Sequence, residues 1–570
     1  MSQNDIHFEV FVKKNKKASW TLLEATPNRK AALDLANSIE KKNPQGSVRV
    51  SKETWIAEKG GFNSVAIHTS GPDPFDDGKN EKAEASIPCV TPDDLVGAAA
   101  RDTIRRVLKP WFERTSTTPL ELLHRPELVE DLEESDTVLQ HAVQKVAIAR
   151  SQNSEVPVQQ YVKLLNTLVE KAIGQVRREA KSGKALPTTD QFSKQAEQIL
   201  AEGSPEKRLR KAIAVRLDSA RDFGSKLDIL LDLLDDLPSA EEAEASTRKT
   251  VDGFIAEALS FGGGRAALIG KTDNLGQDVE RLTGIYEGKP GCKELEYAPA
   301  LAKRLSKAFA AHDLPCAQDE TACHILDALR APKRFRPNSV LEEVELSRKL
   351  AMRLIVISGD RLHPESLVEA FTYRSARLLS PEAISDVLKG SDDAIEDIHR
   401  LYKMEDNLVG DENKSKLAAY LRAQLKNHRT ETYFIRGEGN PLSRLSQLTV
   451  LQKRCDKSTF NAKDKTELAA EFDQLGLRIL DETKILGRIA NSPQPPLDRA
   501  AGLLKLVAEE VLPIGQCSED AKARAMRIFA SDEGRAAASE SQNLQTLQTI
   551  KTLMTAITPK DAPQAEGKVA

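Results

Sequence analysis

The run SKLDILLDLLDDL constrains this chain more than any other feature. At 3.6 residues per turn it places Leu227, Leu230, Leu231 and Leu234 on one face, the stripe of an amphipathic helix that must pack against other apolar surface. Comparable stripes recur at 160–173, 299–309, 341–357, 415–425, 467–490 and 498–512. From residue 93 onward nearly every segment carries helical period, and about twenty helical segments are expected. Helix starts are marked by small polar residues before proline or acid: Thr118-Pro119, Ser204-Pro205-Glu206, Ser380-Pro381-Glu382 and Ser518-Glu519-Asp520. Composition agrees. Aromatic residues are 5% of the chain, too few for a large all-β protein, while 40% hydrophobic content supports packed helices.

The first 70 residues follow a different rule. Ile6, Phe8, Val10 and Val12 alternate with His7, Glu9 and Phe11, the period of a half-buried strand. SWTLLEAT reads as a second strand, and RKAALDLANSIEKKN as a helix with Ala31, Leu33, Leu35, Ala36 and Ile39 as its apolar set. SVRVS, TWIAE and SVAIH are further β-like runs, with Gly60-Gly61 between the last two. Phe8, Phe11, Trp20, Trp55 and Phe62 are expected to supply the sheet's core. The fold class is therefore mainly α: a small N-terminal α+β domain of ββαββ type, followed by a long multi-helical, solenoid-like body. The boundaries read as 1–70 for the small domain and 71–92 for a flexible linker rich in Pro, Gly and charge. Residues 93–270, 271–440 and 441–557 read as helical domains, and 558–570 as a disordered tail. Thr91 is expected to cap a helix that opens with Pro92-Asp93-Asp94. SKLDILLDLL at 225–234 aligns with SRLSQLTVLQ at 443–452, either as an old duplication or as two ordinary hairpins.

Charge and cysteine usage limit the function classes. Lys and Arg number 82 and Asp and Glu 86, so the whole molecule has no general attraction for nucleic acid or an anionic membrane. Six dispersed cysteines do not form a disulfide framework, no apolar run reaches the roughly 18 residues of a bilayer span, and the first residues show no signal-peptide pattern. A cytoplasmic protein is expected.

Three constellations suggest chemistry. GGGRAALIGKT, residues 262–272, ends as a phosphate-binding loop ends, with Gly270, Lys271 and Thr272. Its upstream glycine is missing, because Arg265 takes that position and Gly264 lies one residue too far; helix-ending and helix-starting glycines are the plainer reading. His312, Cys316, Cys323 and His324 lie close in sequence but without zinc-knuckle spacing, so no metal is assigned. RAPKRFRP, residues 330–337, surrounds Phe335 with Arg330, Lys333, Arg334 and Arg336, chemistry suited to an anion or an acidic partner. Its plainer reading is a solvated loop with Phe335 in the core. KRLRK at 207–211 and the acidic runs at 130–136 and 232–244 read as solvated helix faces. There is no HExxH, GxSxG, kinase set, GxGxxG after a strand or CxxC.

The sequence thus points to a non-enzymatic adaptor or scaffold, without cofactor, that binds other proteins in signalling or assembly. Two alternatives remain open: a nucleotide-dependent enzyme or switch using 262–272, and an RNA-binding protein using 330–337.

Overall fold

A computed structural model describes residues 6–15, 18, 20–56, 61–71, 89–135, 137–152, 156–182, 186–187, 189, 191–202, 205–540 and 543–557. Most of the 71–92 linker, the whole 558–570 tail and Ser204 lie outside those residues, as do the side chains of Trp55 and Phe62.

The N-terminal strands β1 (Ile6–Lys13), β2 (Thr21–Thr26), β3 (Ser47–Ile56) and β4 (Gly61–Ser70) form one antiparallel sheet in the order β2-β1-β3-β4. Helix α1 (Arg29–Lys42) connects β2 to β3. Asn28 caps it by accepting from the backbone amides of Lys30 and Ala31 at 3.0 and 3.3 Å. Ala32 and Ala36 pack on Phe8, Val10, Val48 and Val50. The run SVRVS and the first three residues of TWIAE belong to one strand, Ser47–Ile56; Ala57 and Glu58 lie outside the described residues. No turn residue separates them, and pairing with β1 is continuous from Lys13 opposite Ser47 to Ile6 opposite Thr54. Of the aromatics expected in the core, Phe8 is there. Phe11 and Trp20 instead flank the Arg49 guanidinium, 5.4 and 4.8 Å from their ring centres.

The remainder is helical, and the described residues hold 28 α-helices in all. Two compact units divide the chain: Met1–Pro337 with Lys349–Tyr373, and Asn338–Arg348 with Arg374–Ala570. In the first, the leucine stripe forms as read: Leu227, Leu230, Leu231 and Leu234 of the Phe223–Asp235 helix are all buried. Phe223 stacks on Phe261 at 5.0 Å, and Phe112 meets Phe261 at 5.6 Å. In the second, Leu445, Leu448 and Leu451 of the Pro441–Asp456 helix enter a core with Phe434, Phe472 and Leu503. Thus both members of the aligned pair at 225–234 and 443–452 bury the same leucine positions. Among the described residues no helix is long and apolar enough to cross a membrane.

Helix starts follow local chemistry at Thr118 and Ser380. Thr118 and Glu121 exchange bonds as a capping box, and the Ser380 hydroxyl accepts from the Ala383 amide at 3.2 Å. Thr91 has the same arrangement, its amide donating to the Asp94 carboxylate at 2.8 Å, but opens only a 3-10 turn, Pro92–Val96. The helix expected at Ser518 begins two residues earlier, at Gln516. The carboxylate of Asp473, from the Ala462–Thr483 helix, accepts from the amides of Gln516 and Cys517 at 2.6 and 2.9 Å and fixes that start.

Candidate functional site

The basic loop at 330–337 is built into the first unit. Arg330 places Nε and Nη2 on one oxygen of Glu369, at 3.1 and 3.0 Å. Burial pushes the Glu369 carboxyl up to about 7, although Arg330 and then Arg49 oppose the shift. Phe335 has no exposed surface and acts as an anchor, not a stacking platform. Arg336 donates to the side-chain oxygen of Asn274 at 2.8 Å and lies 3.5 Å from Glu280. Lys333 is exposed and Arg334 half-buried.

The segment at 262–272 is laid out as helix termini. Residues Gly262–Ile269 are helical, and the chain enters them from the Glu241–Leu259 helix, not from a strand. Gly270 ends the helix at φ +70°, and a Cβ there would meet Pro299 at 2.6 Å. A phosphate cradle turns amide N–H groups toward its ligand. Here the carbonyl oxygens of Ile269 and Lys271 converge instead, accepting from Arg281 at 2.6 and 2.8 Å. Thr272 donates its hydroxyl proton to Asp278 at 2.5 Å. In this segment the Gly270 amide is used by the Ala266 carbonyl, the Lys271 carbonyl by Arg281 and the Thr272 hydroxyl by Asp278.

Within 312–324 it is the backbone amides of Cys316 and Ala317 and the His324 imidazole that serve packing, while Cys316 and Cys323 are exposed. Asp252 accepts from the amides of Cys316 and Ala317 at 2.8 and 2.9 Å, capping the Pro315–Arg330 helix. His324 is buried and donates from Nε2 to the Leu259 carbonyl at 2.9 Å. Loss of water around the thiols, with nearby carboxylates, pushes Cys316 and Cys323 up to about 11, although both residues keep exposed surface. Among the described residues no three His, Cys, Asp or Glu side chains gather in a metal-holding group.

The remaining charge runs are tied off in the same way. In 207–211, Lys207 pairs with Glu179, Arg208 with Glu202, and Arg210 with Glu206. Asp228, Asp232 and Asp235 converge on Arg304 at 2.8, 2.5 and 3.7 Å. Asp236, read as part of a solvated face, accepts from the amides of Phe192 and Ser193 at 2.7 and 3.3 Å.

One charged constellation has no counterpart in the sequence reading. Lys226 Nζ lies 2.5 Å from Glu121, and both are essentially without solvent; Arg125 adds a contact to Glu121 at 3.6 Å. Nearby, Glu257 accepts from the Leu120 amide at 2.8 Å and pairs with Arg101. Burial pushes the Glu121 carboxyl up and the Lys226 ammonium down, so each charge depends on the other. Lys226 sits within the leucine stripe, where a long polar side chain gives no sign of an inward partner. The network closes over the short Pro119–Leu122 helix and serves stability.

Concave surface lies elsewhere. In the first unit, a groove of about 610 Å³ runs between the Thr137–Gln152 and Val158–Ser182 helices. Its floor is Leu139, Val143, Val162, Val169 and Ile173. The rim is polar, with Gln140, Gln144, Asn166 and Glu170. Val162, Asn166, Val169 and Ile173 share one face of their helix by spacing. Glu133 also lines the groove and is paired with Arg177, which leaves Glu170 to set the rim's charge. In the second unit, an open polar cleft of about 480 Å³ borders the π-helical turn Thr432–Arg436 and carries both acids and bases, including Glu431, Arg436, Arg478 and Asp481.

No protein-family model, curated protein or solved structure matches the chain.

Proposed function

We propose that the protein is a non-enzymatic cytoplasmic adaptor or scaffold that binds partner proteins through its helical body, with the small α/β head as a second contact. The groove between the Thr137–Gln152 and Val158–Ser182 helices carries this reading. Its apolar residues Val162, Val169 and Ile173 lie at helical spacing between polar rim residues, an arrangement that an amphipathic helix can fit. Glu170 on its rim favours a partner helix with Lys or Arg beside its apolar ridge. The internal pairing of Arg330 with Glu369, Arg336 with Asn274 and Glu280, and Thr272 with Asp278 argues in the same direction, since these members of the two candidate segments hold neighbouring elements together. Six unbridged thiols suit a reducing compartment.

The test uses the full chain and two labelled model helices with the same Leu ridge, one flanked by Lys and one by Glu. In fluorescence anisotropy the Lys-flanked helix binds saturably. Glu170→Lys, on an exposed position, weakens it about tenfold and improves the Glu-flanked helix, as expected for one close charge pair inverted. Binding of neither helix, or binding indifferent to Glu170→Lys, refutes the groove as the docking surface.

A further inference from the structure

Three arginines are buried among the described residues, and two of them meet carboxylates. Arg374 donates to Glu343 at 2.8 Å, and Arg125 pairs with Glu121 and Asp218. The third, Arg444, is 7% exposed, and its Nε and Nη1 are buried with no hydrogen-bond partner. No carboxylate among the described residues pairs with it, and it makes no ring contact there. A guanidinium held out of water with open donors is costly, and charges enclosed by a protein are ordinarily paired.

The unused donors have a direction. Arg444 is the fourth residue of the Pro441–Asp456 helix, and side chains on a helix tilt toward its start. The guanidinium reaches back to the loop that enters the helix: a Cβ on Gly437 would lie 3.2 Å from Nη1 and 2.2 Å from the Tyr433 carbonyl oxygen. Only glycine leaves that approach open. Gly439, two residues on, holds φ +96° with open space where a Cβ would stand. The helix start itself has little to offer a ligand. Pro441 has no amide proton, and the Leu442 and Ser443 amides donate to the side chain and the carbonyl of Asn440, each at 3.0 Å. The guanidinium is therefore the donor that is left. Nη2 is not among the enclosed atoms, and an oxygen placed there meets a second donor on either side, Nε along one edge of the fork or Nη1 along the other. Arg436, one residue before Gly437, is exposed and without an ion pair.

We propose that Arg444 anchors an anion site that takes a phosphate group, between the 437–440 loop and the start of the Pro441–Asp456 helix. Phosphate fits better than carboxylate. As a monoester it carries about −1.5 to −2 at pH 7, with oxygens enough for a fork on Arg444 and a contact with Arg436. Water would fill a donor but leave the charge unmatched. Glu438 stands in the same loop, exposed and without an ion pair, and its repulsion limits the affinity. The site belongs to the second unit and does not depend on what occupies the groove of the first.

The experiment is isothermal titration calorimetry on the full chain at fixed ionic strength, with inorganic phosphate, phosphoserine and acetate as probes. Phosphate binds saturably, and acetate about tenfold more weakly or not at all. Arg444→Lys keeps a charge but loses the fork, and weakens phosphate about tenfold. Arg444→Met abolishes the heat while the melting temperature without phosphate holds or rises, because an unpaired buried charge is removed. Arg436→Gln weakens phosphate, and Glu438→Gln tightens it. Phosphoserine binding as strongly as phosphate assigns the site to a phosphate monoester, and phosphate binding alone assigns it to the free ion. Arg444→Lys decides by itself if Arg444→Met does not fold. The inference is overturned if phosphate gives no saturable heat with the wild-type chain, if acetate binds as tightly, or if Arg444→Lys leaves phosphate binding unchanged.

Discussion

His124 shows most clearly what burial does to a single group. It follows the Pro119–Leu122 helix, is 4% exposed, and its Nε2 is buried without a hydrogen-bond partner among the described residues. Burial first, then the cations Arg210, Lys207, Lys211 and Arg101, push the imidazole down to about 3. The sign of the pH effect follows. The unfolded chain takes up a proton near pH 6.5, and the folded chain refuses it until about pH 3. Stability from this residue is therefore complete above 6.5 and falls by about 1.4 kcal/mol per pH unit below it. Between pH 7 and pH 4.5, urea unfolding of the wild type should lose roughly 2.5 kcal/mol more than His124→Gln. Equal losses would mean that His124 is solvated. The Glu121–Lys226 pair predicts a coupling. Lys226→Met leaves a buried carboxylate and costs about 3–5 kcal/mol, whereas adding Glu121→Gln recovers most of that loss. A double-mutant cycle with no recovery would show that the two side chains act independently.

At the scale of the element, the sequence shows helices and their local caps, and hides the caps that arrive from elsewhere. Thr118 and Ser380 were legible because their partners sit three residues on. Asp473, Asp252 and Asp236 were not, because the amides they hold are 43 to 65 residues away. Asp236 reads as a solvated position in a charged run, Asp252 and Asp473 have no local signal, and only packing reveals their direction. Asp473→Ala should destabilise the Gln516–Ala530 helix by about 1–2 kcal/mol, the usual cost of a lost cap. Hydrogen exchange at Gln516 and Cys517 should then quicken while the Phe223–Asp235 helix, in the other unit, keeps its protection. Uniform quickening in both helices would contradict a local role. The merged strand β3 makes the same point for the sheet. Lys52 and Glu53 interrupt an apolar pattern, but without Gly, Pro or Asn they cannot turn the chain.

For the whole molecule, the near-balance of 82 basic and 86 acidic residues has a structural meaning. Local clusters of opposite sign meet inside a unit: Arg330 with Glu369, Lys207 with Glu179, and Arg304 with Asp228 and Asp232. The two-part layout of strands then helices was readable from the change of period near residue 70. The groove was not. Val162 and Val169 on one helix and Leu139 and Val143 on another lie in ordinary amphipathic patterns, and periodicity cannot say that part of an apolar stripe remains uncovered. The most direct test of a docking role places a photo-crosslinking amino acid at Asn166, on the groove's rim, and in a second protein at Lys171, on another part of the same helix. Illumination in the cells that make the protein should give a discrete adduct from position 166 and none from 171. The linked partner peptide should read as an amphipathic helix with a basic flank. Equal labelling from both positions, or a linked segment without an apolar ridge, would contradict the account.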